Sequence, residues 1–230
     1  MKRFLNLRTL LVVVMGLTAI MTLLGGVGST CVAFNAEQYP PFKALVPFKS
    51  ILQMLVYISV ITAVLMMVVT YWTARASKWF YLSALITLLV GGGAAAVQMY
   101  YSSSLRQISF FAAAPTNVRF FITLAALIVF VMVRFPGIWN KSGLGNPTSK
   151  PGSPLAAGGA ALIVAACAIL TAPLWAAPDH VIDGYNLVLT LEVPLLVDGI
   201  AILVAGVGMV VYALGRRWSK QARRVVAAAE

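Results

Sequence analysis

Six long apolar runs, separated by polar stretches rich in turn residues, set the pattern of the chain. A helix of about 20 apolar residues crosses a hydrocarbon core about 30 Å thick. Segments near 9–33, 51–72, 80–101, 118–139, 156–177 and 191–214 reach that length. The first five carry no charge in their middles. The sixth contains Pro194 and Asp198, so its start is the least sharply defined. The pattern predicts an all-α, polytopic membrane helix bundle: a single domain over residues 1–230 with six transmembrane helices.

Composition agrees. Of 230 residues, 61% are hydrophobic and 10% charged, against about 25% charged in soluble domains. An integral membrane protein whose first partner is the lipid bilayer is the class this implies. The apolar run Leu10–Val27 begins like a secretory signal but is too long for a signal core and suits a first spanning helix. Cys31 follows Gly28-Ser29-Thr30, a poor lipoprotein box.

The net charge of +11 fits positive-inside sorting, because Lys and Arg are retained on the cytoplasmic side. With the N-terminus inside, 13 of the 17 basic residues fall on the cytoplasmic side, and Lys43, Lys49, Arg106 and Arg119 fall outside. Six crossings then leave both termini in the cytoplasm of a cell (plasma or inner) membrane, with a linker over 140–155 and a basic tail over 215–230. Trp72, Trp79 and Trp139 fall at predicted inner ends and Trp175 at an outer end, where indole rings prefer the half-wet layer. Arg134 reads as the basic residue within a span, near the inner end of the fourth. No Arg-rich recognition helix accompanies the charge, so nucleic acid is not an expected partner.

The outer loops 35–49 and 102–117 read as irregular or interfacial segments, with Phe110 and Phe111 reaching into lipid. Small residues cluster within the spans at 25–29, 91–96, 156–161 and 205–208. Such residues let helix backbones approach closely in lipid. Gly91-Gly92-Gly93 carries the alternative reading of a flexible point, because three consecutive glycines weaken a helix.

Four of the six acidic residues and the sole histidine fall within 175–199. Asp198 lies about six residues, or ~9 Å, into the sixth span. Acids within a membrane are expensive and mark candidate sites. Glu192 sits on the same helix, and Gln53, Gln98 and Arg119 fall near the outer ends of their spans. These five make a candidate ion or solute site centred on Asp198, or a structural lock in which Asp198 bonds Arg119 or Gln98. His180 and Asp183, with the two acids, supply donor types for a weaker metal alternative. A single histidine excludes bis-His haem ligation within the chain, and neither a strand-preceded phosphate loop nor a GxSxG elbow is present. No cofactor and no catalytic residue is expected.

The leading expectation is a non-catalytic accessory or scaffold subunit, packed against other membrane proteins or copies of itself. A small secondary transporter or ion carrier using Asp198 is the alternative, and a membrane enzyme with an outer-face metal the third.

Overall fold

The computed structural model describes residues 7–38, 40–75, 77–112, 116–142, 144, 154–175, 181–182, 185–190 and 192–226. The described chain is helical almost throughout: α1 (Leu7–Gly28), α2 (Thr30–Asn35), α3 (Lys49–Ala74), α4 (Phe80–Arg106), α5 (Thr116–Val133), α6 (Pro136–Ser142), α7 (Pro154–Leu170), α8 (Ala172–Trp175), α9 (Leu187–Thr190) and α10 (Glu192–Val226). Two-residue strands at Val181–Ile182 and Tyr185–Asn186 pair antiparallel. Five helical stretches are long and apolar enough to cross a membrane: Leu7–Gln38, Phe42–Ala74, Phe80–Arg106, Thr116–Val133 and Glu192–Gly215. The protein is therefore a membrane-embedded helical bundle.

Two predicted spans are interrupted, each next to a proline. The run expected over 118–139 ends at Val133, turns through Arg134 and Phe135, and restarts as α6 at Pro136. Proline lacks the N–H that would continue the ladder and its ring clashes with the preceding turn, yet it fits the first position of a new helix. Arg134 thus falls outside α5, and its guanidinium lies 4.9 Å from the Trp139 ring centroid and 5.9 Å from that of Tyr81. The run expected over 156–177 forms the 17-residue α7, then breaks at Thr171 just before Pro173 and resumes as the short α8.

Burial repeats at helical spacing. Leu11, Met15, Ala19 and Thr22 of α1 face inward, as do Leu55, Ser59, Thr62 and Met66 of α3. α1 is the hub, packing on α3, α5 and α7, while α4 bridges α3 and α5. A core of Leu11, Met15, Met66, Leu88, Ala126 and Phe130 fills the centre of this four-helix unit. Large apolar side chains such as Ile61, Leu89 and Ile128 point outward, as lipid-facing positions should.

α7 and α10 form an antiparallel pair joined to the rest through α1. Their backbones nearly touch: a Cβ on Gly159 would lie 2.6 Å from the carbonyl oxygen of Gly206. Lipid tails are as apolar as the side chains, so such close van der Waals packing is what holds membrane helices together.

At one end of the four-helix unit the chain from Pro40 to Phe48 winds as a 3₁₀ segment. Its Phe42 and Leu45 are buried against Leu52 and Val56, and an ion pair at 2.9 Å joins Lys49 to Glu37. The segment expected to be irregular or interfacial is a 3₁₀ helix anchored by Phe42 and Leu45, with Lys43, Ala44 and Val46 exposed.

Candidate functional site

Buried polar side chains are described at both ends of the bundle, with Arg8 and Thr73 toward one and Ser59, Gln98 and Arg119 toward the 3₁₀ segment. In hydrocarbon a polar side chain has no water to turn to, so it faces the bundle interior. Arg119, in the first turn of α5, obeys this with 1% of its surface exposed. Its aliphatic stem runs against Gly25 of α1, where a Cβ would sit 3.1 Å from the arginine Cδ. One terminal nitrogen donates to Ser59 Oγ on α3 and the other to Gln98 Oε1 on α4, each at 2.8 Å. Ser59 in turn donates to the Leu55 carbonyl, and Thr123 Oγ1 donates to the carbonyl of Arg119. Three helices thus close around an arginine of the fourth, α3 and α4 at its guanidinium and α1 at its stem.

The partners are neutral. No Asp or Glu is among the buried side chains described. A guanidinium carries five N–H donors, and the Nε of Arg119 is buried without an acceptor. Thr22 Oγ1, one turn before Gly25 on α1, is also buried and unpartnered. Gln98 also lines a small cavity of about 20 Å³, with Ser29, Ser102, Thr116, Val32, Phe42, Leu45 and Leu52; Arg119 is not among its lining residues.

The structure brings together part of the expected cluster. Arg119 and Gln98 are directly bonded. Gln53 is half-buried on α3 and bonds neither of them. Asp198 and Glu192 are exposed on α10, which packs chiefly on α7, so Asp198 does not lock onto Arg119 or Gln98. His180 and Asp183 lie outside the described residues, and among the described ones no three His, Cys, Asp or Glu side chains converge. α4 runs unbroken through Gly91–Gly93. A Cβ on Gly91 would meet Met66 and Thr62 and one on Gly92 would meet Thr123, whereas Gly93 faces open space.

Ser59, Thr22 and Thr123 are hydroxyl residues that do not stand out in the linear chain as ionisable and amide groups do. Their signal was positional: each lies on the buried stripe of its own helix. No protein-family model, curated protein or solved structure matches this chain.

Proposed function

We propose that this protein is a non-catalytic, multi-pass accessory subunit that docks the outer face of α10 onto a transmembrane helix of another membrane protein. The observation that carries the reading is an acid, Asp198, exposed on α10 beside an apolar stripe. Val193, Val197, Ile200, Val204, Val207, Val211 and Leu214 recur at alternating intervals of four and three, and all are exposed, Val204 by 65%. This 3.5-residue period is that of helices that pair lengthwise. Ala201, Ala205 and Gly208 run beside it, also exposed, and small residues permit close backbone approach.

Asp198 is not on the apolar stripe itself but in line with Ala201, Ala205 and Gly208 on the exposed flank beside it. Facing lipid alone, an ionised acid costs about 2.5–3.5 kcal/mol at mid-helix on insertion scales. A partner helix offering a basic or amide side chain removes that cost. A second copy docked through equivalent faces would bring two aspartates toward each other, which charge disfavours. The occupant proposed is therefore a different protein.

The same reading places the chain in the cell (plasma or inner) membrane with six crossings and both termini in the cytoplasm. The 13-to-4 split of basic residues supports it. So does the helical run from Pro154 to Trp175, broken only at Thr171, which spans about 33 Å at ~1.5 Å per residue.

Extraction from native membranes in mild detergent tests the proposal. A stoichiometric membrane subunit should accompany the wild-type chain and be lost from Asp198→Lys, with the variant still folded. A wild-type chain that emerges as a lone monomer, or a partner retained by Asp198→Lys, would sink it.

A further inference from the structure

We infer that the end of the four-helix unit remote from the 3₁₀ segment binds the headgroup of an anionic phospholipid, held on Arg134. Here α3 and α5 finish while α1 and α4 begin. This end gathers cations: Arg8 in the first turn of α1, Arg75 and Lys78 between α3 and α4, and Arg134 just past α5. It gathers no acids. From Met1 to Pro178 the sequence has one acidic residue, Glu37. Glu37 pairs with Lys49 at the opposite end, and that is the one ion pair among the described residues. Arg134 is exposed and has no carboxylate partner there.

The fold holds Arg134 in place. Pro136 ends α5 short, and α6 carries Trp139 back to the guanidinium. The Trp139 and Tyr81 ring centroids lie 4.9 and 5.9 Å from it, within cation–π range. Trp139 is itself stacked on the buried Phe80. Rings against a guanidinium fix its plane and leave its N–H edges to take oxygens, and that planar fork matches a phosphate two oxygens at a time. Lys78, three residues before Tyr81, supplies a second cation and lies over the exposed Trp79 ring. Apolar surface adjoins the charge, because Phe135 and Ile138 are exposed on either side of Pro136. A cation beside exposed apolar side chains, at the end of membrane-spanning helices, fits an amphiphile. Its phosphate meets the charge and its acyl chains meet the apolar side chains. A soluble anion would use the first feature alone.

The test is thermal unfolding of the full chain, delipidated in dodecyl maltoside, as dioleoylphosphatidylglycerol is added. Wild type should show a saturable rise in Tm, as expected for a ligand bound only by the folded state. Dioleoylphosphatidylcholine at the same mole fractions should give a much smaller rise. Arg134→Gln should raise the half-saturating fraction of phosphatidylglycerol at least about fivefold, the value of one cation at a membrane surface. Lys78→Gln should shift it in the same direction, and it carries the test should Arg134→Gln not fold. Lys43→Gln removes an exposed cation at the opposite end and should leave the titration unchanged. Equal responses to the two lipids, or equal losses in Arg134→Gln and Lys43→Gln, would show attraction by overall charge and overturn the inference. So would a wild-type Tm indifferent to phosphatidylglycerol, or an equal rise with inorganic phosphate alone.

Discussion

Arg119 on α5 and Gln98 on α4 are joined by a hydrogen bond of 2.8 Å, and that contact orders the polar interior of the bundle. An arginine side chain is long enough to have reached an interface. Here it is turned inward, with α1 against its stem and α3 and α4 at its tip. Burying one ion costs several kcal/mol even after relaxation, so its neutral partners are worth more than their number suggests.

Removing a partner should therefore expose that cost. Gln98→Leu is expected to lower unfolding stability by about 2–3 kcal/mol, the range for hydrogen bonds to charged groups, and Ser59→Ala by about 1–2 kcal/mol. Reversible unfolding in mixed detergent measures both. Changes below about 0.5 kcal/mol in the two variants would show that Arg119 is not held as described.

The α7–α10 pair should tolerate no side chain at its crossing. A Cβ on Gly206 would lie 2.7 Å from the Gly159 carbonyl oxygen and 2.9 Å from the backbone nitrogen of Ile163. Backbone cannot give way as a flexible side chain can. Gly206→Val is expected to cost at least about 1–3 kcal/mol, as overpacking does, and to separate α7 from α10. Disulfide trapping between cysteines introduced at Gly158 and Met209, positions close enough that a Cβ on Gly158 would lie 3.2 Å from Met209 Cε, should fall several-fold in that variant. The cysteine background for this experiment lacks Cys31 and Cys167.

Gly93 should respond with the opposite sign. It sits in the middle of α4, and nothing lies within 4 Å of a Cβ placed there. Gly93→Ala should stabilise the fold by about 0.5–1 kcal/mol through helix propensity alone. A loss of stability would point to a bending role for the triple glycine that the unbroken α4 does not display.

Orientation has its own test. With both termini cytoplasmic, a single cysteine introduced at Asp183, in a chain lacking Cys31 and Cys167, should react with a membrane-impermeant reagent on intact cells. Reaction only after the cells are opened would invert the topology.

Hydropathy alone marked the five stretches long and apolar enough to cross a membrane, because a helix without water outside must be apolar along its whole length. It located α1, α3, α4 and the apolar part of α10 to within a few residues. It overran α5 and α7, since apolar residues continue past Val133 and Leu170 while Pro136 and Pro173 interrupt the hydrogen-bond ladder. The polar cluster was half visible. Arg119 and Gln98 were singled out because ionisable and amide groups stand out in an apolar chain, whereas Ser59 and Thr22 did not.

What the linear chain determines about this protein is which segments prefer lipid and at what depth their polar groups fall, since both follow from transfer energies counted residue by residue. Which groups at one depth meet was decided only by the packing. Asp198 and Arg119 lie near corresponding ends of their helices, yet α10 packs on α7 while α5 packs on α1 and α4. The acid is therefore left on an outer face and the arginine enclosed. Helix adjacency depends on where glycines let backbones touch, as Gly159 does with Gly206, and that is a property of two surfaces together rather than of either sequence segment.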